Sequence, residues 1–476
     1  MHNQSYSLES NQLRSKHGSR QLDQGFAIVI DFGKTLSKLS LWSKDVRCLE
    51  KLTRANAVLP GEPYSALDTA GTADWLIGAL GQFAAHPVEA IIPVAHGAAI
   101  ACIRDGVLAF APPDYECEIP ADSLGSYRTQ RDPFAVTGSP ALPAGLNIGT
   151  QLHHLDTLGA LQGCTLMPYA QYWGWLLSGV AANEVTSLGC HSDLWSPATR
   201  NFSPMAKRRG WAAQFAPLVR AGDVIGTLLP ELAKLTGLSP TVRIHAGLHD
   251  SNAALLAARS FPEIAGREAT VLSTGTWFIA MRSPAEPVDL TTLPEARDCL
   301  VNVDAFGQPV PSARFMGGRE IELLGKRIDR TGLTGLAEVL ASGTMALPSY
   351  APGSGPFPAR SGHWINQPAS DDEQAAAIAL YAALMTDTAL DLIGAKDCLL
   401  IEGRFASSEL FTRALAALRP KTRVYTASAE ADVSFGALRL IEPSLMPPGE
   451  LAPVDPLDQD LSAYRTAWHA AIEAQA

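Results

Sequence analysis

The chain has 476 residues, which is enough for two or three domains with large buried cores. Apolar residues make up 47% of it and charged residues 18%, a balance typical of globular rather than disordered proteins. The formal net charge of −11 disfavours a nucleic acid or an anionic membrane as the partner, because neutralising many phosphates requires a basic face. The densest basic group is only the short Lys207–Arg209 run.

The N-terminal segment, the apolar stretches and the cysteines further narrow the class of protein. Met1–Gln24 is polar and lacks the apolar segment of a signal peptide, so we expect a disordered tail. The longest mostly apolar stretch, Ala90–Ile103, is interrupted by Pro93 and His96 and is shorter than the roughly 18 residues that a membrane-spanning helix needs. Seven scattered cysteines without a C-x-x-C pair argue against a disulfide framework or a zinc knuckle. We therefore expect a cytoplasmic protein.

The first ordered element is predicted to be a β-hairpin. Phe26–Asp31 is short, apolar and rich in β-branched residues, which predicts a buried strand. Lys38–Trp42 alternates polar and apolar residues, which predicts its partner strand. The tip between them carries Gly33, Lys34 and Thr35.

Two interpretations of this tip stay open. A P-loop is excluded, because it requires a glycine five residues before the Gly-Lys pair and Ile28 stands there. Backbone N–H groups and the Thr35 hydroxyl could still bind phosphate oxygens, while Asp31 at the strand end could hold Mg²⁺. The other interpretation is an ordinary hairpin with a turn glycine.

Alternating strand and helix patterns fill much of the first half. They predict a helix over Ala73–Ala85, strands over Ala90–Val94 and Val107–Phe110, an irregular substrate-side insertion over 111–147, and a helix over Gln171–Leu177.

At mid-chain, a strand over Val242–His245 is followed by Gly247–Asp250, which leads directly into an Ala/Leu-rich helix over Ser251–Ala258. A carboxylate at such a junction either caps the helix or acts as a general base on a substrate hydroxyl. Both roles remain open for Asp250.

A second hairpin repeats the pattern of the first. Thr270–Ser273 is a predicted strand, Thr274–Thr276 a Gly/Thr turn, and Trp277–Met281 a second strand. This turn lies about 240 residues after the first one. The recurrence suggests two duplicated α/β halves that face a cleft.

The remaining elements continue the α/β alternation. We expect a helix that is capped by Ser370 and stops near Gly394, a strand over Cys398–Ile401, a helix over Ser407–Leu418, a strand over Val424–Ala427 and a helix over Val433–Leu440.

Taken in order, these motifs resemble those of the FGGY family of carbohydrate kinases, in the actin-like ATPase superfamily. Asp31–Thr35 with Lys38 resembles the first phosphate motif, D-x-G-x-T/S, and Ser273–Thr276 resembles the second. Ala246–Asp250 is similar to the G-x-x-D segment that carries the family's general base. His96-Gly97 matches the end of a sugar-contacting segment of xylulose kinases.

Three further positions fit the family's pattern in part. Asp114 stands where many members have the Asp of W-x-D-x-R, although the Trp and the Arg are absent here. Gly403 falls at the adenosine motif, usually G-G-G-x-x-N, and Gly436-Ala437 is similar to its closing G-A-A.

The resemblance implies an α/β fold of two actin-like (ribonuclease H-like) domains that face a central cleft. After the tail, residues 25–257 would form the N-terminal domain, which binds the sugar and carries the first phosphate turn. Residues 258–476 would form the C-terminal domain, which binds the nucleotide. It implies ATP and Mg²⁺ as cofactors, with Asp31 at the metal and Asp250 as general base. The implied ATP contacts are Gly33, Lys34, Thr35, Lys38, Ser273, Thr274, Gly275, Thr276, Gly403 and Gly436. The implied sugar contacts are His96, Gly97, Asp114, His249 and Asp250.

The resemblance specifies the type of reaction more closely than it specifies the sugar substrate. It favours a ketose, and narrowly an L-ketose such as L-rhamnulose or L-fuculose, as in the rhamnulokinase, fuculokinase and xylulokinase group; a polyol or a short ketose stays open. One alternative is a sugar- or nucleotide-binding regulator on the same fold that has lost catalysis. Another is an actin-like ATPase that acts on a protein partner. The expected partner is a small sugar, and a homodimer is left open.

Overall fold

The computed structural model describes residues 25–325, 328, 333–427 and 432–474, so the predicted tail, residues 1–24, lies outside them. Within these residues the strands are β1 (Phe26–Phe32), β2 (Leu36–Trp42), β3 (Cys48–Ala55), β4 (Val58–Leu59), β5 (Ala66–Leu67), β6 (Val88–Ala95), β7 (Ile100–Arg104), β8 (Val107–Leu108), β9 (Thr165–Pro168), β10 (Trp195–Ser196), β11 (Asn201–Phe202), β12 (Val224–Thr227), β13 (Arg243–His245), β14 (Leu248–His249), β15 (Ala269–Thr274), β16 (Phe278–Ser283), β17 (Cys299–Val303), β18 (Pro309–Phe315), β19 (Met345–Leu347), β20 (His363–Ile365), β21 (Cys398–Gly403), β22 (Arg423–Ala427) and β23 (Leu451–Pro453).

The α-helices of the described residues are α1 (Thr69–Gly81), α2 (Ala121–Gln130), α3 (Phe134–Thr137), α4 (Ile148–Thr157), α5 (Tyr169–Ser178), α6 (Val185–Leu188), α7 (Pro204–Arg208), α8 (Pro230–Thr236), α9 (Asp250–Ala258), α10 (Gly317–Leu323), α11 (Leu336–Ser342), α12 (Asp371–Leu392), α13 (Glu409–Leu418), α14 (Val433–Ile441) and α15 (Ser462–Glu473). Short 3₁₀-helices cover Trp211–Ala213, Leu290–Thr292, Glu295–Arg297 and Arg404–Ser407.

Two large sheets share one strand order. The first sheet runs β12-β13-β6-β1-β2-β3, and the second runs β17-β18-β16-β15-β21-β22-β23. In each, a hairpin strand (β1 or β15) pairs antiparallel with the next strand and parallel with a later one (β6 or β21). The predicted recurrence of the two hairpins is therefore confirmed as a repeated five-strand topology, β3-β2-β1-β6-β13 and β18-β16-β15-β21-β22.

The helices α9 and α14 lie between the two sheets. Strand β1 alternates its side chains, so that Ala27 and Val29 enter a core cluster with Ala253 of α9 and Ala437 of α14. On the other side, Leu255 of α9 packs in a separate cluster with residues of β15 and β21. The helix pair thus joins the two halves, and the helix that begins at Asp250 belongs to this junction. The division at residues 257 and 258 stays a prediction.

Several predicted boundaries shift for local reasons. Helix α1 begins at Thr69, four residues before the predicted start, because the Asp68 side chain accepts a hydrogen bond from the Gly71 N–H and caps it. The predicted strand over 107–110 is reduced to β8. The stretch 111–147, predicted as irregular, contains α2 and α3; α2 is mostly exposed and polar, so it lacks the apolar stripe that would reveal it in the sequence.

The longest helix is a core element. Ser370 accepts a hydrogen bond from the Glu373 N–H and starts α12 as predicted. By length and composition this helix could cross a membrane. The expectation that Ala90–Ile103 is the longest mostly apolar stretch is therefore wrong, since α12 is longer. However, 83% of its most apolar window is buried against the rest of the protein. Such burial is typical of the central helix of a globular core.

Candidate active site

The first predicted phosphate turn lies at the end of β1. Asp31 is paired with Lys38 across the hairpin, and the Lys38 Nζ atom lies 3.2 Å from the Asp31 carboxylate. The Gly33 N–H donates to the Leu36 carbonyl at 3.1 Å, and a Cβ at Gly33 would lie only 2.9 Å from that oxygen. The tight turn therefore needs glycine and leaves Thr35 exposed at its tip.

Lys34 leaves this turn and reaches the segment predicted to bind sugar. Its ammonium group forms an ion pair with Asp114, lies 3.3 Å from the Glu116 carboxylate and sits 4.3 Å from the centre of the Tyr115 ring. The predicted phosphate-binding lysine and the predicted sugar-binding aspartate are thus in direct contact. The two predicted groups of residues form one continuous site.

His96 follows the end of β6 and lies at the centre of this site. The backbone N–H of His96 donates to the Phe32 carbonyl at 3.1 Å, which fixes His96 beside the end of β1. Its ring lies between the rings of Tyr115 and Tyr169, with centroids 5.3 and 5.1 Å away. Burial lowers the pKa of His96 to about 4, so the imidazole is neutral near pH 7. Its Nδ1 atom is buried and, within the described residues, has no hydrogen-bond partner.

Asp250 is the first residue of α9, and His249 occupies the N-cap position. The His249 side chain makes no capping bond, whereas the Asp250 Oδ1 atom accepts from the Ser251 N–H at 2.6 Å. Burial alone would raise the pKa of Asp250, but the adjacent His249 lowers it below its usual value, so the carboxylate is ionised near pH 7. Asp250 keeps the solvent access that a base requires, since 29% of its side chain is exposed.

Asp31 and Asp250 are close enough to affect each other. Burial raises the pKa of Asp31, and the negative charges of Asp250 and Asp432 raise it further. The positive charge of Lys38 acts in the opposite direction and lowers the pKa of Asp31. Asp432 is the N-cap of α14, the helix that packs with α9 against β1. The negative charges of Asp250 and Asp432 thus reach the carboxylate of Asp31 at the end of β1.

The second predicted phosphate turn is braced against the predicted adenosine segment. The Thr274 hydroxyl donates to the Glu402 carbonyl at 2.5 Å and accepts from the Phe405 N–H at 3.0 Å. Gly403 has φ of +85°, and a Cβ there would lie 2.5 Å from the Thr274 carbonyl. The Thr274 hydroxyl is thus engaged within the protein, whereas Ser273 and Thr276 are exposed. Gly275 completes the turn by donating to the Trp277 carbonyl.

Two predicted glycines have a clear packing role. Gly436 lies in α14, where a Cβ would fall 1.8 Å from the Ala253 carbonyl of α9, so it permits the close crossing of the two helices. Gly97 backs onto the imidazole of His249, whose Cδ2 atom would lie 2.8 Å from a Cβ. Their contacts with nucleotide and sugar stay predictions.

Several residues of this cluster were not predicted from the sequence. Cys190 lies 3.8 Å from the His249 Nε2 atom, Tyr115 and Tyr169 flank His96, and Glu116 contacts Lys34. Gly318 also went unnoticed, although a Cβ there would lie 2.1 Å from the Gly275 carbonyl of the second turn. Of these residues only Gly318 carries a sequence signal, because adjacent glycines at a helix start indicate a close backbone approach.

Glu184 provides a stability test of the region behind His249. Its Oε2 atom accepts from the N–H and the hydroxyl of Thr186, while its buried Oε1 atom has no hydrogen-bond partner within the described part of the chain. Burial raises the pKa of Glu184 to about 7. The folded-state pKa therefore exceeds the unfolded value of about 4.3, so the free energy of unfolding falls as pH rises from about 4 to 7.

We expect Glu184→Gln to remove this pH-dependent loss, because glutamine stays neutral and still offers an oxygen to Thr186. By linkage, the variant should be more stable than the wild type by about 3 kcal/mol at pH 8 and by little at pH 4. Urea denaturation at both pH values measures this difference. An equal stability difference at both pH values would contradict the raised pKa.

Comparisons with known proteins give a consistent result. Residues 266–448 match the family model described as carbohydrate kinase FGGY, C-terminal domain. The crystal structure of a carbohydrate kinase from Novosphingobium aromaticivorans is 59% identical, with a TM-score of 0.91 over 94% of this chain and 100% of that chain. A ligand-bound xylulose kinase from Lactobacillus acidophilus is 12% identical, with a TM-score of 0.72 over 94% of this chain and 97% of that chain.

A curated relative gives a shorter match. An L-fuculokinase of Salmonella typhi is 36% identical over 107 residues, which are 22% of this chain and 21% of the fuculokinase. This match spans about a fifth of that relative's length. The structural matches confirm the predicted α/β fold of two actin-like domains around a central cleft.

Proposed function

Because the chain belongs to the FGGY family of carbohydrate kinases, we propose that it transfers the γ-phosphoryl group of ATP to a hydroxyl group of a small sugar. The observation that carries the proposal is the continuity of the site. A partly exposed, ionised carboxylate (Asp250), a buried carboxylate at the first hairpin turn (Asp31) and a neutral histidine with an unpaired, buried ring nitrogen (His96) belong to one cluster. Phosphoryl transfer needs chiefly such positioning and charge stabilisation.

The phosphates of ATP would lie between the two hairpin turns. The exposed hydroxyl groups of Thr35, Ser273 and Thr276 offer donors from both halves. Within the described residues no three His, Cys, Asp or Glu side chains form a metal-binding group. The donor set nevertheless fits Mg²⁺, which is typically held by one or two carboxylates, waters and substrate phosphates, and Asp31 supplies the carboxylate. The bound ion would neutralise phosphate charge.

Asp250 would act as the general base. Its carboxylate is ionised near pH 7 and reaches the site from the N-terminus of α9. It would accept the proton of the sugar hydroxyl as that oxygen bonds to the γ-phosphorus and the bond to the leaving ADP oxygen breaks. His96 and Asp114 would orient the sugar through hydrogen bonds.

The charge of the site favours an uncharged acceptor. Carboxylates outnumber ammonium groups in the cluster, which contains Asp31, Asp114, Glu116 and Asp250 against Lys34 and Lys38. The Lys34 charge is already neutralised by two carboxylates, so a sugar acid would meet net repulsion. The acceptor is therefore a neutral ketose or polyol. The partial match to an L-fuculokinase supports an L-ketose, such as L-fuculose or L-rhamnulose.

The test is ADP formation with ATP and Mg²⁺ against a panel of L- and D-ketoses, polyols and aldonates. We expect sugar-dependent ADP release with at least one neutral member, and none with the aldonates. Binding of sugar and nucleotide without turnover would instead favour a regulator that has lost catalysis. ADP release that is the same with and without sugar would favour an ATPase that acts on another partner.

Asp114 gives a prediction about sugar binding. Asp114→Asn removes a charged hydrogen-bond acceptor and the ion pair with Lys34, so we expect the sugar KM to rise about tenfold, as for one lost charged hydrogen bond. The kcat should stay within about threefold, because the base is untouched. Steady-state kinetics measure both constants. The exposed Asp74 of α1 is the matched control, and Asp74→Asn should leave both unchanged.

A further inference from the structure

The two carboxylate oxygens of Asp250 are in different environments. Oδ1 accepts from the Ser251 N–H at 2.6 Å, lies 3.2 Å from the Ser251 hydroxyl and lies 3.1 Å from the His249 Nε2 atom. Within the described residues no hydrogen bond or ion pair is formed by Oδ2, and 29% of the side chain is exposed. One oxygen is thus held by the protein while the other is available to a ligand.

The backbone N–H and both ring nitrogens of His249 have partners within the protein. Its backbone N–H donates to the Thr186 hydroxyl at 2.9 Å, its Nδ1 atom lies 3.2 Å from the Asn252 side-chain amide, and its Nε2 atom lies 3.8 Å from the Cys190 Sγ atom. The residue is only 5% exposed. Both ring nitrogens are therefore engaged by buried groups before any ligand arrives.

The space around the imidazole is also filled. Gly97 packs so closely against the ring that a Cβ would lie 2.9 Å from Nε2 and 3.4 Å from the Cys190 Sγ atom. A sugar hydroxyl would have to displace these contacts to reach either ring nitrogen. This argues against the direct sugar contact that the resemblance implied for His249.

We propose that His249 is a positioning residue for the general base: it holds Oδ1 of Asp250 so that Oδ2 faces the acceptor hydroxyl. The proposal rests on the proposed function of Asp250. Cys190, Asn252 and Thr186 act through His249, because they fix the ring that fixes the carboxylate. Such buried supports matter because a base misplaced by 1 Å costs about 10²-fold in rate.

The electrostatics agree with this geometry. Burial alone would lower the pKa of His249, but the neighbouring Cys190 and Asp250 raise it well above its usual value. In turn His249 lowers the pKa of Asp250. Each partner thus stabilises the charged form of the other, which strengthens the contact at Oδ1.

The test separates positioning from sugar binding. His249→Ala should lower kcat about 10²-fold and leave the sugar KM within about threefold, because only the base is displaced. His249→Gln offers an amide N–H near the former Nε2 position and should recover kcat to within about tenfold of the wild type. A raised KM with unchanged kcat would show a sugar ligand and overturn the proposal.

A matched control is available four residues earlier. His245 is equally buried, but its Nδ1 atom bonds to the Gly222 carbonyl and it does not contact Asp250. His245→Gln should therefore leave kcat unchanged. If His245→Gln lowers kcat as much as His249→Ala does, general damage to the region explains the loss and the proposal fails.

Two further readouts connect the effect to Asp250. In an Asp250→Asn background, His249→Ala should lower kcat by less than about a further threefold, because a positioning residue cannot act through an absent base. A further 10²-fold loss of kcat in that background would contradict the proposal. In the ligand-free protein, the ¹⁵N resonance of His249 Nε2 should shift when Asp250 becomes Asn, and an unchanged resonance would also contradict it. If the wild type phosphorylates no sugar, the proposed function fails, and the resonance still decides the contact.

Discussion

Asp250→Asn should lower kcat for sugar phosphorylation by about 10²- to 10⁴-fold, the range that a general base contributes. The variant keeps the size of the side chain and an oxygen that can accept from the Ser251 N–H, so α9 should start as before. It loses the basic carboxylate that would accept the hydroxyl proton. Rapid-mixing kinetics at saturating sugar and ATP measure the effect on the chemical step directly.

The binding constants show whether the effect is catalytic. Dissociation constants of sugar and ATP, measured by calorimetry, should stay within about threefold of the wild type, because ground-state contacts remain. Asp372→Asn provides a control, since this exposed aspartate also lies in the first turn of a helix, α12. If Asp250→Asn binds both ligands and reacts as fast as the wild type, Asp250 is not the base.

Gly436→Ala should destabilise the protein and impair catalysis together. The new methyl group would lie 1.8 Å from the Ala253 carbonyl, so α9 and α14 must move apart by more than 1 Å. Overpacking of this kind costs about 1–3 kcal/mol in the free energy of unfolding. Because Asp250 is the first residue of α9, we also expect kcat to fall about tenfold or more. Urea denaturation and steady-state kinetics measure the two effects.

Gly78 supplies the matched control for this substitution. It also lies within a helix, α1, but a Cβ at Gly78 would meet no atom of the described residues within 4 Å. Gly78→Ala should therefore be neutral or stabilise the protein by about 0.5–1 kcal/mol, as helix propensity predicts. A Gly436→Ala variant as stable as Gly78→Ala would contradict the close helix crossing.

Local patterns explain which parts of the fold were predictable. The hairpin β1-β2 and the capped start of α12 were predicted because strand alternation and capping depend on residues close in sequence. Helix α2 was not, because its surface is polar and shows no apolar stripe. The placement of α9 and α14 between the sheets was also beyond prediction, since it depends on packing between distant segments.

The site shows the same limit. Asp31, His96 and Asp250 could be singled out as candidates because each lies in a family-like motif, at or next to the end of a predicted strand or the start of a predicted helix. The contact between Lys34 and Asp114 was missed because the two residues are 80 positions apart and belong to motifs with different predicted roles. Cys190 carried no signal, because a lone buried cysteine has the same pattern whether it fills a core or supports a neighbouring polar side chain.

The most direct test of the central claim is to follow the γ-phosphoryl group itself. Wild-type protein is incubated with γ-³²P-labelled ATP, Mg²⁺ and each neutral sugar of the panel, and the products are separated. We predict labelled sugar phosphate and ADP in equal amounts for at least one ketose or polyol. Label that appears only as inorganic phosphate, at a rate independent of sugar, would contradict the assignment of this site as a sugar kinase centre.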